Sequence, residues 1–139
     1  MSQHAPAHPG PGSWRILRHE LPDGSAHLDL LVWPSEERPD PARPLACFRL
    51  PIETDPLPHR EGCVSFDAEP IRDHRAVYLT HTGEIDPARG SVTGIGAGRD
   101  ADLRVRDDEM TLTIGSRRYR GVVGFDGRAG FVYAGSSET

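Results

Sequence analysis

The sequence predicts an all-β protein, a small antiparallel β-barrel with at most one or two short helices. Short segments alternate apolar and polar residues with a period of two, which is typical of strands that bury one face. No segment sustains the 3.6-residue period of an amphipathic helix. The chain has 139 residues, which suffices for one domain with a single modest core. So many short strands in so short a chain favour closure into a barrel.

The N-terminal segment differs in composition from the rest of the chain. Residues 1–12, MSQHAPAHPGPG, are rich in Pro, Gly, Ala and His. Such a segment buries too little apolar surface to fold, so it is predicted to be a disordered tail. Residues 13–139 are predicted to form the single β-barrel domain.

Nine strands are predicted after the tail, each bounded by Pro, Gly or charged residues. The first two flank the turn-like ELPDGSA, and the third follows a Pro-rich loop and ends at a proline. The last four form two hairpins, across DDE and across Asp-Gly, which is a strong hairpin signal. In chain order the predicted strands are SWRILRH (13–19), HLDLLVW (27–33), LACFRLP (45–51), CVSFDAE (63–69), RAVYLTHTGEI (75–85), LRVR (103–106), MTLTIG (110–115), RRYRGVVGF (117–125) and RAGFVYAG (128–135).

The connections carry two further predictions. A short helix is predicted near residues 35–43 or 53–60. The glycine-rich run GIGAGRD at 94–100 is predicted to be a turn, because no helix follows it as a dinucleotide-binding loop requires.

Charge and composition restrict the location and the partners. The formal net charge is −5, and all sixteen basic residues are Arg. Contact with nucleic acid must therefore use a local arginine patch. No apolar segment is long enough for a signal peptide or a membrane span, which predicts a cytoplasmic protein without membrane contact. Cys47 and Cys63 are then expected to be buried thiols.

The second predicted strand carries a candidate metal site. Alternate side chains of a strand share a face, so His27, Asp29 and Leu31 point away from the core. The Cβ atoms of His27 and Asp29 are then roughly 6–7 Å apart. The turn ELPDGSA returns the chain and brings His19 beside His27. Nitrogen and hard-oxygen donors suit Mn²⁺, Zn²⁺ or Fe²⁺, although a lone H-x-D is more often an ordinary surface pair.

Four motifs in order resemble one known family. They are H…H-x-D, FRLP, DHRAVYL and RGSVTGIGAG, between about Trp14 and Phe125. Together they resemble the phosphoesterase domain at the N-terminus of bacterial DNA ligase D, and in particular its small stand-alone members. The resemblance implies a β-barrel that binds a divalent metal, typically Mn²⁺. It also implies trimming of DNA or RNA 3′ ends in DNA repair, by removal of a terminal ribonucleoside or a 3′-phosphate.

The resemblance also implies the site residues. The metal ligands fall on His19, His27 and Asp29. The catalytic histidine that meets the phosphate falls on His74, and the catalytic tyrosine four residues later falls on Tyr78. The strand predicted at 75–85, extended back to His74, places both side chains on one face.

The sequence departs from the family pattern at the phosphate-binding arginine. Active members carry that Arg two residues after the motif Asp, where this chain has Leu31. The candidates to replace it are Arg49, Arg75 and Arg15. Two functions stay open: a metal-dependent 3′-phosphoesterase, or a catalytically impaired 3′-end-binding or protein-docking module. In both, the expected partners are nucleic-acid 3′ ends and ligase or polymerase repair proteins.

Overall fold

The computed structural model describes residues 8–36, 40–50, 66–107, 109–123 and 129–136. The predicted all-β class is confirmed, with a single 3₁₀ turn as the helical element of the described residues. The elements are β1 (Trp14–Glu20), β2 (Ala26–Val32), β3 (Leu45–Leu50), β4 (Phe66–His74), the 3₁₀ turn (Ala76–Leu79), β5 (Gly83–Asp86), β6 (Gly90–Gly98), β7 (Ala101–Arg106), β8 (Glu109–Ile114), β9 (Arg117–Val123) and β10 (Ala129–Ser136).

The ten strands form one antiparallel sheet in the order β5-β6-β1-β2-β3-β4-β10-β9-β8-β7. Within the described residues, no strand pairing joins the two outermost strands, β5 and β7. The predicted closure into a barrel is therefore not seen as a continuous hydrogen-bonded cylinder. The sheet instead folds over itself, since side chains of β1–β3 share one apolar core with those of β7–β9.

Strands β1–β3 bury apolar side chains on both faces of the sheet, in two separate clusters. Ile16, Leu30 and Phe48 point into the core shared with the second half. The opposite face of the same strands carries a second apolar group, here called the outer cluster. It consists of Leu17, Leu31, Leu45, Cys47, Leu79 and Val92, with Trp33, Tyr78 and Ile85 packed against it. The predicted face assignment of the second strand is confirmed, and the candidate metal ligands lie on the outer-cluster face.

The segment predicted as a turn at 94–100 is mostly strand. Gly94, Gly96 and Gly98 belong to β6, which pairs with β1. A Cβ atom at Gly98 would lie 2.5 Å from Nε1 of Trp14, and one at Gly96 would lie 3.5 Å from the same indole ring. These glycines give the Trp14 side chain room against the neighbouring strand. The turn prediction was wrong because it took the glycines as signals of a chain reversal and not as small residues that a neighbouring side chain requires.

The predicted strand at 75–85 is also interrupted. β4 ends at His74, the 3₁₀ turn spans Ala76–Leu79, and β5 begins only at Gly83. Leu79 is fully buried in the outer cluster, so packing of this side chain favours the turn. No helix occurs at residues 35–36 or 40–43, and 53–60 lie outside the described residues. No described helix has the length and apolarity needed to cross a membrane.

The end of the predicted tail is joined to the sheet. The amide of Gly12 donates to the carbonyl of Trp33 at 2.8 Å, and the amide of Ala101 donates to the carbonyl of Gly12 at 2.9 Å. Residues 1–7, Cys63 and the Asp-Gly turn at 126–127 lie outside the described residues.

Candidate metal centre

The β1–β2 hairpin brings the three predicted metal ligands together. His19 is the direct cross-strand partner of His27, and Leu17 is the partner of Asp29. The turn fixes this register, because Asp23 Oδ1 accepts hydrogen bonds from the amide and the hydroxyl of Ser25 at 2.9 and 2.6 Å. These bonds favour the ionised carboxylate and hold the pKa of Asp23 below its ordinary value.

The ligand atoms converge on one point. Nδ1 of His19 lies 3.4 Å from Oδ2 of Asp29, and Nε2 of His27 lies 3.1 Å from Oδ1 of Asp29. The two imidazole rings meet edge to face, with centroids 4.8 Å apart. One donor atom from each of the three residues lies within 4.8 Å of the others. Each carboxylate oxygen therefore faces a different imidazole.

The donor set fits a divalent transition metal. His27 and Asp29 are 8% and 7% exposed. Nε2 of His27 and Oδ1 of Asp29 are buried, and although they lie 3.1 Å apart, neither makes a hydrogen bond of proper geometry with the other or with another described residue. Buried polar atoms of this kind are costly unless something pairs with them. Two imidazole nitrogens and one carboxylate are suitable ligands for Mn²⁺, Zn²⁺ or Fe²⁺.

A backbone carbonyl orients the His19 ring. Nε2 of His19 lies 2.7 Å from the carbonyl oxygen of Arg89. A carbonyl only accepts, so Nε2 is the donor in this contact, and Nδ1 is the ring nitrogen on the side of Asp29. Metal-binding histidines commonly use this arrangement, with the distal N–H donated to a protein oxygen.

The turn between β5 and β6 holds that carbonyl in place. Oδ1 of Asp86 accepts from the amides of Ala88 and Arg89, both at 2.8 Å. Gly90 follows with φ of +86°, and a Cβ atom there would lie 1.9 Å from the carbonyl oxygen of Glu20. Only glycine allows the turn to approach β1 this closely.

A cavity of about 230 Å³, here called the metal cavity, is lined by two of the three ligands, His19 and Asp29. Arg49 reaches it because it is the cross-strand partner of Asp29. His74 reaches it because it pairs with Leu45, two residues before Cys47. Its lining is apolar except for four polar side chains, and comprises Leu17, His19, Asp29, Leu31, Cys47, Arg49, His74, Ile85 and Val92.

The two predicted catalytic residues are neighbours in the structure. The rings of His74 and Tyr78 meet edge to face, with centroids 5.1 Å apart. The prediction that they share one strand face was wrong. The chain leaves β4 at His74, and Tyr78 belongs to the 3₁₀ turn that follows.

The three arginines predicted to bind phosphate occupy different places. Arg49 lines the metal cavity, and Arg75 lines a second cavity beside it. Arg15 lines neither of these cavities. It is 0% exposed, and its guanidinium donates to the carbonyls of Tyr78 and His81. Its role as a phosphate ligand is therefore not supported.

Arg15 instead holds the 3₁₀ segment against β1. Nη1 donates to the carbonyl of Tyr78 at 3.2 Å, and Nη2 donates to Oγ1 of Thr82 at 2.8 Å. Burial lowers the pKa of the guanidinium, since desolvation disfavours the charged form.

Two arginines near the site were not predicted from the sequence. Arg43 and Arg89 line the second cavity together with Arg75. No local pattern marks them, because they come from two different turns that only the folded sheet brings together.

No protein-family model matches the chain, and no curated protein matches it in sequence. Assignment to the ligase D phosphoesterase family therefore stays a prediction.

Proposed function

We propose that the protein is a metal-dependent phosphoesterase that removes 3′-phosphates or 3′-terminal ribonucleotides from nucleic-acid ends in DNA repair. The observation that carries this proposal is the position of the His19, His27 and Asp29 group. Two of these residues, His19 and Asp29, line a cavity whose lining also includes an arginine and a further histidine.

His19, His27 and Asp29 would hold the metal, with Mn²⁺ the first candidate and Zn²⁺ the second. When bound, such a cation supplies Lewis-acid polarisation of a phosphoryl oxygen. The ligand set uses three protein atoms, which leaves coordination positions for substrate.

Arg49 is the residue that binds the reacting phosphate. Its position opposite Asp29 places a guanidinium beside the metal ligands, and a guanidinium matches phosphate through two parallel N–H donors. Arg49, on β3, would thus supply the positive charge that the family pattern places at position 31, on β2. Leu31 is only 1% exposed and packs in the outer cluster.

His74 provides the proton for the leaving group. It lines the metal cavity and lies on the β4 side, across from the β1–β2 ligands. Water attacks the phosphorus as the bond to the departing oxygen breaks, and a histidine there can donate a proton to that oxygen. The edge-to-face contact with Tyr78 restricts the rotation of the His74 ring.

The test uses a 5′-labelled primer–template that ends in one ribonucleotide or in a 3′-phosphate. The full chain is incubated with it and Mn²⁺, and products are resolved on a gel. We expect trimming by the wild type and its loss in His27→Ala. His8→Ala, which changes an exposed histidine outside the strands, is the matched control and should trim normally. Equal trimming by all three proteins would refute the proposal.

The buried Leu31 favours one alternative, a module that binds 3′ ends without turnover. That function predicts stable binding of a 3′-phosphorylated strand by wild-type protein, with no product under any metal condition. The same gel assay, run beside a binding measurement on the same oligonucleotide, separates the two functions.

A further inference from the structure

A second cavity of about 340 Å³, here called the arginine cavity, lies next to the metal cavity. The two cavities share His19, His74 and Ile85 as lining residues. Its complete lining comprises His19, Arg43, His74, Arg75, Tyr78, Ile85 and Arg89. A ligand in the metal cavity can therefore extend past the two histidines into the arginine cavity.

The arginine cavity is positively charged, whereas the chain as a whole is negatively charged. Three guanidiniums line it, and no acidic side chain does within the described residues. The chain as a whole has 21 acidic and 16 basic residues. Nε of Arg89 lies 3.6 Å from Oδ2 of Asp86, but exposed pairs of this kind are weak and leave the cavity positive.

Each arginine extends from a defined backbone position. The amide of Arg43 donates to the carbonyl of Asp40 at 3.0 Å. Arg75 is extended, with φ of −73° and ψ of 152°, between β4 and the 3₁₀ turn. Arg89 lies in the turn capped by Asp86. The three charges are thus positioned by turns that the fold already stabilises, so binding an anion there requires little ordering of the backbone.

We propose that the arginine cavity is a second phosphate-binding site. It takes the phosphate that neighbours the reacting one, and the preferred ligand carries two phosphoryl groups on one nucleoside. This rests on the proposed function in one respect, that the reacting phosphate lies in the metal cavity. The shared ligand chemistry is found both in a nucleoside 3′,5′-bisphosphate and in the last nucleotide of a 3′-phosphorylated strand.

The experiment measures binding without turnover. Thymidine whose 3′-phosphate is replaced by a phosphonomethyl group has a C–P bond that a phosphoesterase does not cleave. It is titrated calorimetrically, with and without a 5′-phosphate, into the full chain with Mn²⁺ present. We expect the 5′-phosphate to tighten binding by about tenfold or more, because it adds charge-assisted hydrogen bonds.

The variant Arg75→Gln/Arg89→Gln tests the assignment to this cavity. The ratio of the two dissociation constants should fall to about twofold or less, whatever happens to either constant alone. Arg118→Gln/Arg120→Gln, which removes two exposed arginines of β9, is the charge-matched control and should keep the wild-type ratio. The ratio is insensitive to partial unfolding, because both ligands sample the same folded fraction.

Two results would overturn the proposal: no gain from the 5′-phosphate in the wild type, or an equal gain in both double variants. Either can occur while 3′-phosphate hydrolysis remains intact, so this failure is distinct from failure of the proposed function. A third ligand, a dithymidylate with the same 3′-phosphonomethyl end, separates the two sources. Binding as tight as that of the 5′-phosphate ligand means that an internal phosphodiester satisfies the cavity, and weaker binding assigns the cavity to a free bisphosphate.

Discussion

The imidazole of His19 on β1 is hydrogen-bonded to the backbone of Arg89 in the β5–β6 turn, with Nε2 and the carbonyl oxygen 2.7 Å apart. The two residues are distant in sequence and are brought together because β6 pairs with β1. The same turn residue thus orients a candidate metal ligand through its carbonyl and lines the arginine cavity with its side chain. The candidate metal centre and the arginine cavity are therefore connected through one turn.

Gly90→Ala should damage this coupling. The new methyl group meets the carbonyl of Glu20 at a positive φ, so the turn must move away from β1. We expect a loss of about 1–3 kcal/mol in the free energy of unfolding and a loss of about 10- to 100-fold in Mn²⁺ affinity. Denaturant unfolding and electron paramagnetic resonance titration of Mn²⁺ measure the two effects.

Gly83→Ala is the control for that prediction. Gly83 also has a positive φ, +104°, but a Cβ atom there has open space around it. It should lose stability through strain and keep its Mn²⁺ affinity. Unchanged metal affinity in Gly90→Ala would contradict the role given to the Arg89 carbonyl.

Asp29→Asn should remove metal-dependent stabilisation. The carboxylate faces both imidazoles, and the amide keeps its size without its charge. Mn²⁺ at about 100 times its dissociation constant should stabilise the wild type by about 2.7 kcal/mol. The melting temperature should rise with Mn²⁺ in the wild type and stay constant in the variant. A rise of equal size in both proteins would place the metal elsewhere.

Arg15→Met should be strongly destabilising. The buried guanidinium donates to two carbonyls and a hydroxyl, and methionine leaves these acceptors unpaired. We expect a loss of about 3 kcal/mol or more in the free energy of unfolding, measured with urea. Arg18→Met, on the same strand but exposed and paired with Glu20, should change it by about 0.5 kcal/mol or less. Similar losses in both variants would argue against the buried hydrogen bonds.

Arg49→Ala should lower kcat/KM for a 3′-phosphorylated oligonucleotide by about 100-fold. Mn²⁺ affinity should be retained, because Arg49 is not one of the three ligands. Arg49→Lys should recover only part of the rate, since an ammonium cannot make the paired contacts of a guanidinium. Full activity in Arg49→Ala would show that another group binds the reacting phosphate.

The β1–β2 turn should give stability that depends on pH. Hydrogen bonds from Ser25 lower the pKa of the Asp23 carboxyl from its ordinary 3.8. Their contribution is therefore complete above that ordinary value and is lost as the pH falls through the lower folded value. The difference in urea midpoint between the wild type and Asp23→Asn should be larger at pH 7 than at pH 2. A difference independent of pH would exclude the ionised carboxylate as its cause.

Sequence analysis succeeded where the determinants are local. The period-two alternation of β2 and the short turn before it are enough to place His27, Asp29 and His19 on one face. The neighbouring arginines and the contact from the Arg89 carbonyl could not be predicted from the sequence. They depend on the pairing of β6 with β1, which joins segments far apart in the chain.

The two errors of secondary structure have the same origin. The glycines of β6 are required by the indole of Trp14 on another strand. The 3₁₀ turn is held by Arg15, also on another strand. Local sequence propensity carries no information about contacts with other strands. It therefore predicted a turn at 94–100 and a continuous strand at 75–85.

The placement of all three ligands in one hairpin also bears on how the protein folds. An isolated hairpin closes in about 1–10 μs, well before the distant strands that complete the sheet need to meet. If the proposed cation binds at that stage, it stabilises the β1–β2 pairing in which His19 faces His27. A slip of one residue turns His27 and Asp29 to the other face and loses the ligand set. Metal availability during synthesis should therefore influence which strand register the nascent chain adopts first.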